Sequence, residues 1–146
     1  MKKTVTWFLL ADGAHAKIVT RAEGEPDYKI VFYEDSTSAH ARSRDLGTDR
    51  PGHSQESSYS GRHAIEPKHD LHRSEEARFV GTVAAHVNRE AVRGSFDRLT
   101  IYAAPQVLAL LRQALEPKTL NKVHGEFAKD LTKIPLAALP AHFGTA

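Results

Sequence analysis

Arginines, histidines and serines crowd one stretch of this 146-residue chain. Between Ser36 and Arg73 stand six of its 20 Lys and Arg residues (Arg42, Arg44, Arg50, Arg62, Lys68 and Arg73). The same 38 residues hold five of the 9 histidines (His40, His53, His63, His69 and His72), seven serines and almost no large aliphatic side chain. Guanidinium forks suit phosphate oxygens, and Ser and Gly let a backbone approach a nucleic-acid strand closely. Asp45, Asp49, Glu56, Glu66 and Asp70 are interleaved with the basic residues, so the stretch carries a formal charge of only +1. A solvated surface loop or a contact with a protein partner would have the same mixed charge.

Other chemistry is poorly supplied. His69-Asp70-Leu71-His72 has a short metal-like spacing, since imidazole is a common ligand. No HExxH motif accompanies it, so neutral surface histidines are the simpler reading. The chain has no cysteine, which excludes disulfides, thiolate zinc sites and thiol catalysis. No metal and no cofactor is expected. Asp12 ends an apolar strand, but two-metal phosphodiester chemistry needs further acids on the same ions, and the later strand ends in Ala103-Ala104-Pro105. Asp12-Gly13 therefore reads as a hairpin turn, with Gly13 supplying a positive φ. No G-x-S-x-G elbow is present. Asp130-Leu131-Thr132 is expected to cap the last helix, with Asp130 near its dipole.

The elements that must position these groups follow from apolar periodicity. Residues 5–11 (VTWFLLA) form a strand apolar on both faces, Trp7 being a core residue. Strands at 15–21 (HAKIVTR) and 28–34 (YKIVFYE) complete a three-stranded meander. After the polar arm, Ser74 reads as an N-cap with Glu75 and Glu76 in the first turn. Ala77, Val80, Val83, Ala84, Val87 and Ala91 then define a buried helical stripe that ends at Gly94. A strand at 99–103, a helix opened by Pro105 and closed by Glu116-Pro117, and a strand at 122–128 make a βαβ unit. A short helix within 132–143, interrupted by Pro140, ends the chain. The sum is one α/β domain over residues 1–146, a mixed five-stranded sheet with helices on its faces, carrying a long polar arm at 36–73. Loops beyond about 12–15 residues are uncommon inside such domains and are usually functional or disordered.

Composition adds bounds. The hydrophobic fraction of 40% and charged fraction of 26% are those of an ordinary soluble domain. A net charge of +2 does not by itself announce nucleic acid. No run approaches the ~18 apolar residues that cross a bilayer. Met1-Lys2-Lys3, the following apolar run and Ala14-His15-Ala16 mimic a secretory signal, yet the run is short and is cut by Asp12-Gly13. Read as a strand it makes better sense, and a cytoplasmic protein is expected.

Several segments together resemble the bacterial family of proteins required for attachment to host cells. They are LLADGAHAKI at the first hairpin, DLGTDRPGHS and SGRHAIEPKHD in the arm, EEARFVGTVAAHVN, LTIYAAPQVLALLRQAL and HGEFAKDLTKIP. That family is in turn similar to the middle domain of archaeal and eukaryotic class I peptide release factors. The resemblance implies a ribonuclease-H-like sheet in the order 3-2-1-4-5, and a long loop leaving the third strand where release factors carry a Gly-Gly-Gln tip. Here that tripeptide is absent, and Pro51-Gly52-His53-Ser54-Gln55 is the nearest local sequence. The expectation is a binding module rather than an enzyme. Arg42, Arg44, Arg50, Arg62 and Lys68 would meet phosphates of the ribosome, rRNA or tRNA, Pro51-Gly52 would shape the bend, and Gln55 would lie near the tip. Two alternatives stand beside it. One is a hydrolase of peptidyl-tRNA with Gln55 or His53 orienting water, and the other is a surface or secreted attachment factor. An exposed edge at the third or fifth strand would also let two chains pair as a homodimer.

Overall fold

Seven residues, VTWFLLA, form the strand on which the rest is built, β1 (Val5–Ala11). The computed structural model of the chain describes residues 3–37 and 68–143, and within them four further strands join β1. These are β2 (His15–Ala22), β3 (Lys29–Asp35), β4 (Arg98–Ala103) and β5 (Val123–Phe127). They make one mixed sheet in the order β3-β2-β1-β4-β5, the order the family resemblance implied. β1 runs antiparallel to β2, from Val5 opposite Ala22 to Ala11 opposite Ala16, and parallel to β4, from Thr6 opposite Arg98 to Ala11 opposite Ala103. Where a strand is paired on both edges and covered on both faces it must be apolar, which is why Leu9 and Leu10 of β1, pointing to opposite faces, are both fully buried.

One face is covered by α1 (Lys68–Arg93) and α2 (Pro105–Ala114). Val80, Val83 and Val87 of α1 and Val107 and Leu111 of α2 pack there on Leu9, Ile18, Leu99 and Ile101. Trp7 is in this core, as its strand position required, stacked on Phe96 at 4.6 Å. On the other face Leu10, Val19 and Tyr102 lie beneath Leu131, Leu139 and Phe143 of the C-terminal segment, where Phe8 and Phe143 stack at 4.1 Å. Chain segments α3 (Pro117–Leu120) and the 3-10 turn Leu136–Ala141 complete the description. β4 and β5 are parallel, so the expected βαβ unit is present.

Four local expectations need correction. The helix begins at Lys68 and Ser74 is inside it. No Gly or Pro stands between Lys68 and Ser74, and once nucleated a helix extends one hydrogen bond per residue. Its buried stripe starts at Phe79 and Val80, while Ala77 is exposed. Gly13 does not adopt a positive φ; among the described residues only Gly24 and Gly94 do. Asp130 caps no helix, since the 3-10 turn has Pro135 at its N-cap with no side-chain cap hydrogen bond. Gly94, with φ +76°, closes α1 in a Schellman motif: its N–H donates to Ala91 O and that of Ser95 to Glu90 O. At the β3 edge, Val31 is left without a partner on β2 and forms a bulge.

Candidate functional site

The β1–β2 hairpin closes through an aspartate side chain. Asp12 N–H donates to His15 O at 2.9 Å. Asp12 Oδ1 accepts from Ala14 N at 2.7 Å and His15 N at 2.6 Å, an Asx turn that fixes both Gly13 and Ala14. The same carboxylate faces His15 Nδ1, 3.2 Å from Oδ1 and 3.3 Å from Oδ2. From 120 residues away Thr132 Oγ1 donates to Asp12 Oδ2 at 3.1 Å, and it lies 2.6 Å from Asp130 Oδ1. One hydroxyl thus stands between two carboxylates and ties the C-terminal segment to the end of β1. Burial alone would raise the Asp12 pKa. The N–H groups of Ala14 and His15, the Thr132 hydroxyl and the charge of His15 outweigh it and leave the carboxyl below its ordinary value.

Gly13 is needed for a steric reason. A Cβ on it would collide with the carboxylate of Glu76, which rests on the turn from the first part of α1. Glu76 Oε2 is 3.5 Å from His72 Nε2, an i,i+4 pair on the same helix. His72, Arg73 and Glu76 line one wall of a cleft of about 470 Å³, and Gln106 and Leu110 of α2 line the other. The cleft lies outside the carboxyl ends of β1 and β4. From β1 the chain turns toward β2 and β3, and from β4 it turns toward β5. This is the switch point at which open α/β sheets take their ligands.

The polar segment is rooted here. β3 ends with Asp35 opposite His15, and Ser36 N–H donates to Ala14 O at 2.7 Å. At the far side the chain re-enters through α1, whose Glu76 touches Gly13. The hairpin turn is therefore held between the departing and the returning chain. Arg42, Arg44, Arg50, Gly52, His53, Gln55 and Arg62 lie outside the described residues. Lys68 opens α1, which removes it from the loop, and its side chain also lies outside the described part.

Reasoning from sequence missed His15, Glu76 and Thr132. The Asp12-to-His15 spacing, three residues across a Gly, is the one local signal that could have found His15. Glu76 looked like a first-turn helix acid, and nothing local joins Thr132 to Asp12. Arg73 and Gln106 supply donors at the cleft between α1 and α2, which can take an anionic or amide group. His15 is not part of that lining; its Nδ1 is engaged by Asp12 on the side of the sheet where Thr132 reaches the same carboxylate. Among the described residues no group of three or more His, Asp or Glu side chains could hold a metal ion.

Among curated proteins, none matches this chain. A family model described as "Protein required for attachment to host cells" matches residues 7–143, nearly the whole of the sheet and both of its faces, and the chain belongs to that family.

Proposed function

We propose that this host-attachment family member is a non-catalytic binding module whose 36–73 segment contacts ribosomal RNA, tRNA or a translation partner. The observation that carries the reading is the pairing of that segment's composition with its root. Arg42, Arg44, Arg50 and Arg62 stand in a stretch whose departure and return flank the Asp12–His15 turn, at the sheet's switch point. Phosphate is the group that both the donors of the cleft and a segment of that composition suit. The resemblance to release-factor middle domains, which present a loop from the third strand, supports translation as the setting. In this reading the protein acts in the cytoplasm, and its effect on attachment is indirect.

Co-sedimentation with ribosomes at low and high salt tests it. Association is expected to weaken as salt rises and to disappear when Arg42, Arg44, Arg50 and Arg62 are all replaced by alanine. Unchanged association of that variant would overturn the reading. A peptidyl-tRNA hydrolysis assay is expected to show no turnover. Turnover that is lost in Gln55→Ala would replace the binding module with an enzyme.

A further inference from the structure

At the opposite end of the sheet, on the face away from α1 and α2, two grooves of about 260 and 230 Å³ adjoin. They share Thr6, Phe8 and Arg98. Thr6 is opposite Arg21 on β2 and opposite Arg98 on β4, so Arg21, Thr6 and Arg98 form one row across three strands and project from one face. The two arginines are two strand spacings apart, about 10 Å. Phe8, Val19 and Thr100 make the next row, and His124, Gly125 and Phe127 of β5 finish the far groove. The C-terminal segment packs over Leu10 and Tyr102, farther along the same face. Among the described residues nothing covers the arginine row.

The side chains are prepared for an anion. Arg21 is held in place, with Nε donating to Glu25 O at 2.8 Å, a terminal nitrogen donating to Tyr28 OH at 3.2 Å, and the guanidinium 5.1 Å above the Tyr28 ring. Among the described residues its other terminal nitrogen makes no hydrogen bond. Arg98 is exposed and makes no ion pair among the described residues. Among the described residues Glu23 is the only acid lining either groove, against two arginines and His124.

We infer that this open face binds a single-stranded nucleic acid, laid across β2, β1, β4 and β5 with phosphates on Arg21 and Arg98. A compact anion would need its cations converging on one point. Here they are spread along a channel three strand spacings long, about 14 Å. Thr6 and Thr100 offer hydroxyls to phosphate or sugar oxygens between them. Phe127 lines the far groove and supplies apolar surface for a base, while Phe8 and Tyr28 are packed against Phe143. Cations and an aromatic on one sheet face are the combination by which sheet faces take single strands. This contact adds to the one proposed for the 36–73 segment and stands or falls separately from it.

Binding of a fluorescein-labelled poly(U) strand to the full-length protein, followed across a salt series, tests the inference. Three variants are compared with the parent: Arg98→Ala, Arg21→Ala with Arg98→Ala, and the quadruple arginine variant of the arm. Each phosphate contact contributes about 0.7 to the slope of log K against log salt for a single strand. Arg98→Ala is expected to lower the slope by about that amount and the double variant by about twice as much, while Arg98→Lys retains it. Because Arg98 is exposed, its loss leaves the fold intact, which circular dichroism checks. Parent-like slopes and affinities in Arg98→Ala and the double variant would overturn the inference. If only the quadruple variant loses binding, the arm reading survives alone. If the parent protein does not bind poly(U), the sheet-face inference falls, and the arm reading is decided by ribosome co-sedimentation.

Discussion

Asp12 and Gly13 show how much of the arm's root rests on single atoms. A hydrogen on Gly13 is required because Glu76 occupies the place of a side chain. The backbone there suits any L-residue, so the two effects of a methyl group can be separated. Alone, Gly13→Ala is expected to cost up to about 1 kcal/mol, because the flexible Glu76 carboxylate must swing off the turn. In a Glu76→Ala background the same change is expected to stabilise by about 0.4–1 kcal/mol, through reduced freedom of the unfolded chain. Equal effects in the two backgrounds, read by urea denaturation, would show that Glu76 does not rest on the turn. His86 gives a second test at this scale. Burial, with its ring stacked on Phe32 at 4.2 Å and near Trp7, lowers its pKa; Glu90 pulls the other way, and Arg89 and Arg93 add to the lowering. The unfolded chain therefore takes up a proton near ~6.5 that the folded one refuses, so this contribution is full above that pH and is lost as pH falls below it. Between about pH 7.5 and 5.5 the Tm of the parent should fall more than that of His86→Phe. Parallel curves would remove His86 from the account.

The long helix α1 organises the elements, and Asn88 is its main polar contact with the βαβ connection. Asn88 Nδ2 donates to Ala114 O at 3.2 Å, while its Oδ1 accepts from Glu116 N at 3.0 Å and Thr119 Oγ1 at 2.7 Å. One amide thereby satisfies the end of α2 and the entry to α3. Asn88→Ala would strand the buried Thr119 hydroxyl and leave the part-buried Ala114 carbonyl short of a donor, while the exposed Glu116 N–H turns to water. The change is expected to cost about 1–3 kcal/mol by chemical denaturation. A loss below about 0.5 kcal/mol would mean that water replaces the amide freely. The positions of the five strands and of α2 were legible because their patterns are local: apolar runs, Pro105 at a helix start, Asp12-Gly13 at a turn. The start of α1 was not, because Ser74 is a good cap in isolation and also a tolerable interior residue. The bridge from Thr132 to Asp12 was equally hidden, for it depends on a segment returning across the sheet. Asn88 carries no mark in the sequence at all, since its partners lie 26 to 31 residues away.

At the scale of the molecule, the described core is built from strands, helices and the C-terminal segment. The two clusters of buried side chains draw on β1, β2, β4, α1, α2 and residues 131–143. The ends to be joined are close to one landmark. Ser36 is bonded to Ala14, and Lys68 is eight residues before Glu76, about 12 Å along the helix from the residue that touches Gly13. A flexible Gly/Ser linker of about ten residues spans a gap of that order. Replacing residues 38–67 by such a linker is therefore expected to leave the Tm within about 2 °C of the parent, a change of about 0.6 kcal/mol or less. Ribosome association should be lost or strongly reduced. Any RNA affinity that remains should depend on Arg98, since the excision removes none of the residues of the open sheet face. A variant that unfolds would show that the excised segment belongs to the core, which would remove the division between a rigid domain and its arm. A variant that folds and still sediments with ribosomes as the parent does would place binding on the domain alone.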